Sequence, residues 1–184
     1  MINQDYQQQI QAMHRDGKFN NGGSQFKLVK PFLDRYRPQT LLDFGCGKGA
    51  LIQCIRDSFP DVECWGYDPG NEEFSRQPDR TFDAVISTDA IEHIEPEHLA
   101  ETLRMISSMI ERVAFFRIAC HPAKKRLPDG RNCHLIVEEP AWWRGQIQQH
   151  MAEKIVWERV EPFDKREKNP ILFGSKYDII LEKP

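Results

Sequence analysis

The residues whose types and spacing best suit chemistry lie in one short stretch, where a carboxylate precedes three alternating glycines. An apolar pair leads into Asp43, and Gly45, Gly47 and Gly49 follow. Glycine permits a positive φ and a close approach of the backbone to a ligand, and a helix that begins after the turn presents free N–H groups to an anionic atom. Because the carboxylate would repel a diphosphate, the stretch favours a ligand that carries both an ammonium group and a carboxylate.

A second acid follows at the distance that a βαβ unit predicts. The apolar spacing over 50–59 indicates a helix, and a turn at 60–61 leads into a short strand over 62–67. The strand ends at Asp68, about 20 residues after Gly45, where an ionised carboxylate can accept hydrogen bonds from both hydroxyls of a ribose. The alternative is a plain turn that ends the strand.

A third acid ends another apolar run. Residues 82–88 are typical of a buried parallel strand, Asp89 comes directly after them, and Glu92 and His93 precede a predicted helix start at 95–97. Ligands of open α/β sheets bind beyond the carboxyl ends of the strands. We therefore expect these polar residues at the same edge of the sheet as the glycine turn.

In combination, the glycine stretch, the second acid and the segment 82–94 resemble three motifs of the class I S-adenosylmethionine-dependent methyltransferases, over about residues 25–120. The resemblance implies a Rossmann-like, doubly wound α/β fold, with a mostly parallel sheet and one antiparallel strand near its edge. It also implies S-adenosyl-L-methionine as the cofactor, whose ammonium and carboxylate groups match the acid and the glycine turn. The implied cofactor-binding residues are Asp43, Gly45, Cys46, Gly47, Gly49, Asp68 and Asp89.

The chain departs from the family pattern between the second and third acids. Residues 69–81 are too few for a helix followed by a further parallel strand. We predict that this helix is missing or reduced to a turn. Residues 71–75 are the expected wall of the adenine site, where Phe74 either stacks on the base or belongs to the core.

Length and composition fit one domain of 184 residues. The resemblance implies that residues 1–24 form a lid that includes His14, Phe19 and Asn20, over a Rossmann-like core of 25–184. The net charge of −3 disfavours a nucleic-acid partner and leaves a small-molecule substrate. The five cysteines form no Cys-x-x-Cys pair, and no leader or membrane-spanning run is found, so we expect a cytoplasmic location. The oligomeric state is not indicated.

The remaining elements follow from apolar periodicity and from turn residues. The predicted helices cover 3–14, as an exposed helix, then 25–36, 97–110 and a segment from Pro140 through Trp143 and Ile147. The predicted strands cover 113–119, 153–160 and 175–181, and the last two form a hairpin that turns around 164–170.

The polar segment 121–134 is the expected acceptor site, since the resembled family builds its acceptor pocket after the fifth strand. A solvated surface loop is the alternative. Methyl transfer from a sulfonium needs no acid, but a hydroxyl acceptor must lose a proton, and neutral imidazole suits this task near pH 7. The candidate bases are His134, which Asp129 and Asn132 could orient, and then His93 and His121.

Four cations in the same segment indicate an acceptor that bears a carboxylate or a phosphate. They are Lys124, Lys125, Arg126 and Arg131.

Asp89, Glu92 and His93 also admit a divalent cation, with His121 or His134 as a further ligand. This spacing resembles ubiquinone-biosynthesis O-methyltransferases and enzymes that methylate the 3′ end of small RNAs. The same residues can instead cap the following helix, and we predict no resident metal.

The leading prediction is transfer of a methyl group from S-adenosylmethionine to an oxygen of a small polar metabolite. Three alternatives stay open. They are a methyltransferase of RNA ends or nucleotides, a nicotinamide-dependent oxidoreductase that Asp43 disfavours, and a cofactor-binding partner subunit without catalysis.

Overall fold

Helices and strands alternate along the chain, as the sequence predicts. The computed structural model describes residues 4–15, 22–162 and 174–184. Its helices are α1 (Gln4–Arg15), α2 (Phe26–Tyr36), α3 (Ala50–Ser58), α4 (Leu99–Met109) and α5 (Pro140–His150). Its strands are β1 (Thr40–Phe44), β2 (Glu63–Tyr67), β3 (Phe82–Thr88), β4 (Ile110–Cys120), β5 (Lys154–Pro162) and β6 (Ser175–Glu182). The turn predicted around 164–170 lies outside the described residues.

The strands form one sheet in the order β2-β1-β3-β4-β6-β5. The first four run parallel, whereas β6 is antiparallel to both of its neighbours. This confirms the predicted mostly parallel sheet with one antiparallel strand near its edge. The chain leaves β1 in one direction to form β2 and returns on the other side to form β3. The carboxyl ends of β1 and β3 therefore flank the crevice in which such sheets bind ligands.

Helices cover both faces of the sheet, which explains why its central strands are apolar on both sides. Leu42 and Val85 belong to the cluster that α4 and α5 cover with Leu103 and Trp143. The alternate residues of the same strands join a second cluster, which α2 and α3 cover. The period-two alternation of the strands thus builds two cores and holds the strand ends rigidly.

The helix α1 is not exposed, so this part of the sequence prediction was wrong. Tyr6, Ile10 and Met13 are buried against Leu127 and Cys133. Gln-rich composition suggested a solvated helix, but the three apolar side chains are spaced so that they share one face. The spacing of the apolar residues, and not the glutamine content, therefore determines that this helix is buried on one face.

The short connection between β2 and β3 is confirmed. Within residues 69–81 the only regular element is one 3₁₀ turn, Glu72–Phe74. The strand β2 is consequently the outermost strand on its side of the sheet. None of the described helices has the length and apolar character that a membrane crossing requires.

Candidate functional site

A cavity of about 1200 Å³ opens at the carboxyl ends of the parallel strands, where Phe44, Tyr67, Thr88 and Ala119 line it. Ligand pockets commonly measure about 300–1,000 Å³. The cavity therefore has room for a cofactor and a second small molecule side by side.

The glycine turn after β1 has the backbone conformation that the sequence predicted. Gly45, Gly47 and Gly49 have φ values of 80°, 58° and 74°. A Cβ on Gly45 would lie 2.3 Å from the Cβ of Ala90, so no side chain fits there. Two N–H groups of the turn donate to the Tyr67 carbonyl at 2.7 and 3.2 Å, which ties the turn to the end of β2.

Not every residue of the turn faces the cavity. Gly45, Cys46 and Gly47 line it, whereas Gly49 packs on Phe74, whose Cζ would lie 2.9 Å from a Cβ at that position. Phe74 belongs to the apolar cluster under α2 and α3 and does not line the cavity. The core alternative for Phe74 therefore holds, and it supports the turn from behind.

Asp68 lies at the end of β2 on the cavity wall. Its two carboxylate oxygens accept hydrogen bonds from the N–H groups of Gly47 and Gly70, each at 2.8 Å. The side chain of Asn71 donates to the Gly47 carbonyl at 2.6 Å. The second acid thus joins the loop after β2 to the glycine turn and stays within reach of a ligand.

Asp43 is buried behind the turn and is not part of the cavity lining. In the described part of the chain, no hydrogen bond reaches its carboxylate. Burial and the neighbouring Asp68 carboxylate raise the pKa of Asp43 to about 7. The position is therefore one at which a nearby positive charge would strongly favour ionisation.

Asp89 occupies the turn after β3 with a φ of 50°, a conformation that is uncommon for residues other than glycine. Its carboxylate accepts hydrogen bonds from Gln25 at 2.6 Å and from the ammonium of Lys176 at 3.3 Å. Both partners line the cavity. Lys176 comes from β6, far away in the sequence, and no local pattern marked either partner.

The three candidate histidines lie together at one end of the cavity. The ring centroids of His93 and His134 are 4.8 Å apart, and those of His121 and His134 are 5.5 Å apart. His93 Nδ1 lies 2.7 Å from the Cys133 carbonyl oxygen, and His134 Nδ1 lies 2.5 Å from that of His121. Because a carbonyl only accepts, each Nδ1 carries a proton, and in the neutral form of the ring Nε2 then carries the lone pair.

The orientation of His134 differs from the predicted one. Asp129 binds Arg131 and Gln9, and the Asn132 side chain accepts from the backbone N–H of His134. The ring itself is held by the His121 carbonyl, and burial lowers the pKa of the imidazole. Burial therefore favours the neutral form of His134 over the charged one.

Glu92 lies beside these rings and is completely buried. Its Oε1 accepts from the N–H of Ala119 at 3.2 Å and lies 4.0 Å from His134 Nε2. Burial and then the charge of Asp89 raise the pKa of Glu92 well above its ordinary value. Glu92 does not line the cavity, and its carboxyl group binds a backbone N–H of β4 rather than the N-terminus of a helix.

The four cations of the segment 121–134 divide into two pairs. Lys124 and Lys125 line the cavity. Arg126 and Arg131 do not, because they bind the Gly130 carbonyl and the Asp129 carboxylate of their own loop. The two lysines therefore face the cavity, whereas the two arginines stabilise the loop.

The helix α1 closes one side of the cavity, a role that its amphipathic spacing could have indicated. Tyr6 donates to the His93 carbonyl at 2.5 Å, and Gln7 donates to the Pro69 carbonyl at 2.9 Å. Ile10 packs so closely on Gly70 that a Cβ there would lie 2.2 Å from it. Of the predicted lid residues, Phe19, Asn20 and the side chain of His14 lie outside the described residues.

Comparison with known proteins gives one family and a consistent fold. Residues 21–162 match the family described as "Methyltransferase domain". A SAM-dependent methyltransferase from Archaeoglobus fulgidus is similar at 21% identity and a TM-score of 0.55, over 86% of this chain and 94% of that chain. No curated protein matches the chain.

Two further structures contain ligands. Magnesium protoporphyrin IX methyltransferase from Synechocystis PCC 6803, with bound SAH, aligns at 16% identity and a TM-score of 0.62, over 88% of this chain and 83% of that chain. The second structure is Burkholderia thailandensis 1,6-didemethyltoxoflavin-N1-methyltransferase with bound 1,6-didemethyltoxoflavin and S-adenosylhomocysteine. It aligns at 13% identity and a TM-score of 0.65, over 94% of this chain and 84% of that chain. Likeness at these identities shows the fold and leaves the acceptor open.

Proposed function

From the premise that this chain belongs to the methyltransferase domain family and uses S-adenosyl-L-methionine as its methyl donor, we propose that it methylates an oxygen atom of a small, anionic metabolite. The observation that carries the proposal is the pairing of two unlike ends in one cavity. One end is the glycine turn with Asp68, and the other is the cluster of three imidazoles.

The donor end would hold the cofactor by the residues that the sequence singled out. Gly45, Cys46 and Gly47 line the cavity, and the donor's amino-acid end would lie against the backbone of this turn, which the glycines allow to approach closely. Asp68 would accept from the ribose hydroxyls, and the buried charge of Asp43 would favour the ammonium group. Catalysis then consists largely of positioning, since the thioether leaves without protonation.

The acceptor end would receive a hydroxyl group. In the neutral form of either ring, Nε2 of His93 or of His134 carries the lone pair, and burial lowers the pKa of His134. His134 is therefore the first candidate for the group that interacts with the acceptor hydroxyl, and His93 and His121 complete the cluster. Asp89, which lines the cavity together with Gln25 and Lys176, is the remaining candidate for binding the cofactor.

An anionic acceptor is supported by the charges on the wall. Lys124, Lys125 and Lys176 all line the cavity, and Lys176 already binds a carboxylate, that of Asp89. Ammonium groups on a cavity wall favour carboxylates or phosphates on a ligand.

We also propose that the chain acts as one domain, with residues 1–24 as a lid over a core of 25–184. The contacts of Tyr6 and Gln7 with the loops after β3 and β2 support this division. A cytoplasmic location is a further part of the proposal, supported by the five cysteines, none of which forms a disulfide within the described residues.

The test measures release of S-adenosylhomocysteine with a panel of small hydroxy acids, phenols, amines and short RNAs. We expect turnover with a hydroxylated anion, and a loss of about 10²–10⁴ in kcat in His134→Gln with the affinity for the donor unchanged. His150→Gln serves as the matched control, because His150 contacts Arg104 outside the cavity. Turnover with amines or RNA alone would contradict the proposal, as would binding of the donor with no turnover on any acceptor.

A further inference from the structure

The strand β5 forms the end of the sheet opposite β2, and among the described residues no further strand lies beside its outer edge. It has nine residues, so this edge is about 30 Å long. The strand β2, at the other end, has only five residues. Proteins often keep edge strands short because a long edge offers backbone N–H and C=O groups with which a further strand can pair.

The side chains of β5 make this edge apolar as well as long. Val156, Trp157 and Val160 are 47%, 40% and 51% exposed, and they are three of the five large apolar side chains that are exposed in the described part of the chain. Single exposed apolar residues are common on proteins, whereas exposed apolar residues that lie together mark interaction sites. The outer edge of β5 is therefore a candidate contact surface.

The charged side chains of β5 do not guard the edge, because other parts of the chain bind them. Glu158 accepts hydrogen bonds from Arg144 and from the Tyr177 hydroxyl, each at 2.6 Å. Arg159 donates to Asp178 at 2.6 Å. The strand carries two basic and two acidic residues, so it has no net charge that would repel a second copy of itself.

We propose that the outer edge of β5 pairs with β5 of a second copy of this chain, antiparallel and about a two-fold axis, so that the two sheets become continuous. Such a contact uses the same surface of both copies, as most homodimers do. With the axis at Glu158, Trp157 lies opposite the partner's Arg159, and Val156 lies opposite the partner's Val160. The symmetry makes each of these contacts twice.

This register brings together side chains that attract one another. The two valine pairs are apolar cross-strand pairs. The Arg159 guanidinium lies 5.9 Å from the Trp157 ring of its own strand, and it would meet a second ring across the axis. Glu158 would face its own copy, where Arg144 compensates its charge. The strand pairs without irregularity on β6 from Trp157 onward, so the centre of the contact has the alternation that pairing requires.

The experiment measures the mass of the full chain by sedimentation equilibrium over a range of concentrations, with neither donor nor acceptor present. We expect a reversible dimer whose dissociation constant rises by about tenfold or more in Trp157→Lys, because a lysine there faces the partner's Arg159. Trp157→Glu also removes the ring but faces the same arginine with the opposite charge, so it should dimerise more tightly than Trp157→Lys.

Trp65→Lys is the matched control. Trp65 is likewise 40% exposed, lies on the edge strand at the other end of the sheet and has an arginine over its ring, Arg80 at 5.5 Å. Its replacement should leave the dissociation constant unchanged. Val160→Lys is a second test of the β5 edge and should also weaken the dimer, whereas Val137→Lys, at an apolar position that is 41% exposed outside the strands, should not.

Circular dichroism with thermal unfolding establishes that each variant is folded, and Val160→Lys carries the test if Trp157→Lys is not. A chain that stays monomeric at every concentration would overturn the inference and leave the edge to a partner of another kind. A dimer that the folded β5 variants retain, or that Trp65→Lys weakens instead, would overturn it as well. Equal dissociation constants for Trp157→Lys and Trp157→Glu would overturn the register. None of these results depends on the proposed function.

Discussion

Replacement of Gly45 by alanine should destabilise the fold and the donor site together. The residue has a φ of 80°, which costs a residue with a Cβ about 1–2 kcal/mol. The added Cβ would also lie 2.3 Å from that of Ala90, and such overpacking typically costs a further 1–3 kcal/mol or so. We therefore expect the free energy of unfolding to fall by about 2–5 kcal/mol in Gly45→Ala.

Gly130 offers a matched control. It has a φ of 91°, and a Cβ there meets no atom within 4 Å. Gly130→Ala should therefore lose only the backbone contribution, about 1–2 kcal/mol, and should bind the donor normally. Urea unfolding measures both losses, and calorimetry with S-adenosylhomocysteine measures the binding.

A double variant separates steric pressure from backbone strain. Gly45→Ala combined with Ala90→Gly removes the clashing partner, so it should recover the packing contribution and keep the backbone cost. Two results would contradict a steric effect of the contact between positions 45 and 90. One is a loss of stability in Gly45→Ala no larger than that in Gly130→Ala, and the other is a double variant that is no more stable than Gly45→Ala.

Four further predictions concern the cavity. The pKa of Asp43 is about 7, and the donor's ammonium group favours the ionised form of this side chain. Donor affinity should therefore fall by up to about tenfold per pH unit below pH 7 and should be constant above it. In Asp43→Asn, calorimetry should find no such dependence on pH. Asp68→Asn should weaken donor binding by about tenfold or more, since it removes a charged acceptor, and unchanged affinity would argue against the ribose role. Lys176→Gln should raise KM for an anionic acceptor and not for an uncharged one. A chain that lacks residues 1–24 should bind the donor more weakly in calorimetry. Unchanged affinity would refute the proposed role of these residues as a lid.

The parts of the site that the sequence predicted are those whose chemistry is local. Gly45 and Asp68 stand at the ends of strands that apolar periodicity identifies, so the pattern fixes both their type and their place. The family match also excludes the nicotinamide-dependent alternative. The cofactor follows from the same few residues.

The parts that sequence reasoning missed depend on contacts between distant segments. Lys176 reaches Asp89 only because β6 inserts beside β4 in the antiparallel direction. His134 is oriented by a backbone carbonyl, that of His121, and a backbone carbonyl leaves no trace in the amino-acid letters. Tyr6 was different, because its spacing with other apolar residues did carry the signal.

Because the connection after β2 is short, no further strand lies beside β2 within the described residues. An unpaired edge strand can form hydrogen bonds with a strand of another chain. Three charged or aromatic side chains lie on or next to this strand. Arg80, from the connection itself, lies over the Trp65 ring at 5.5 Å and pairs with Glu63 at 3.1 Å. Glu63 in turn accepts a hydrogen bond from the Trp65 indole at 2.7 Å. Charged side chains on an edge strand disfavour the addition of a further strand, so this ion pair reduces the tendency of β2 to pair with another chain.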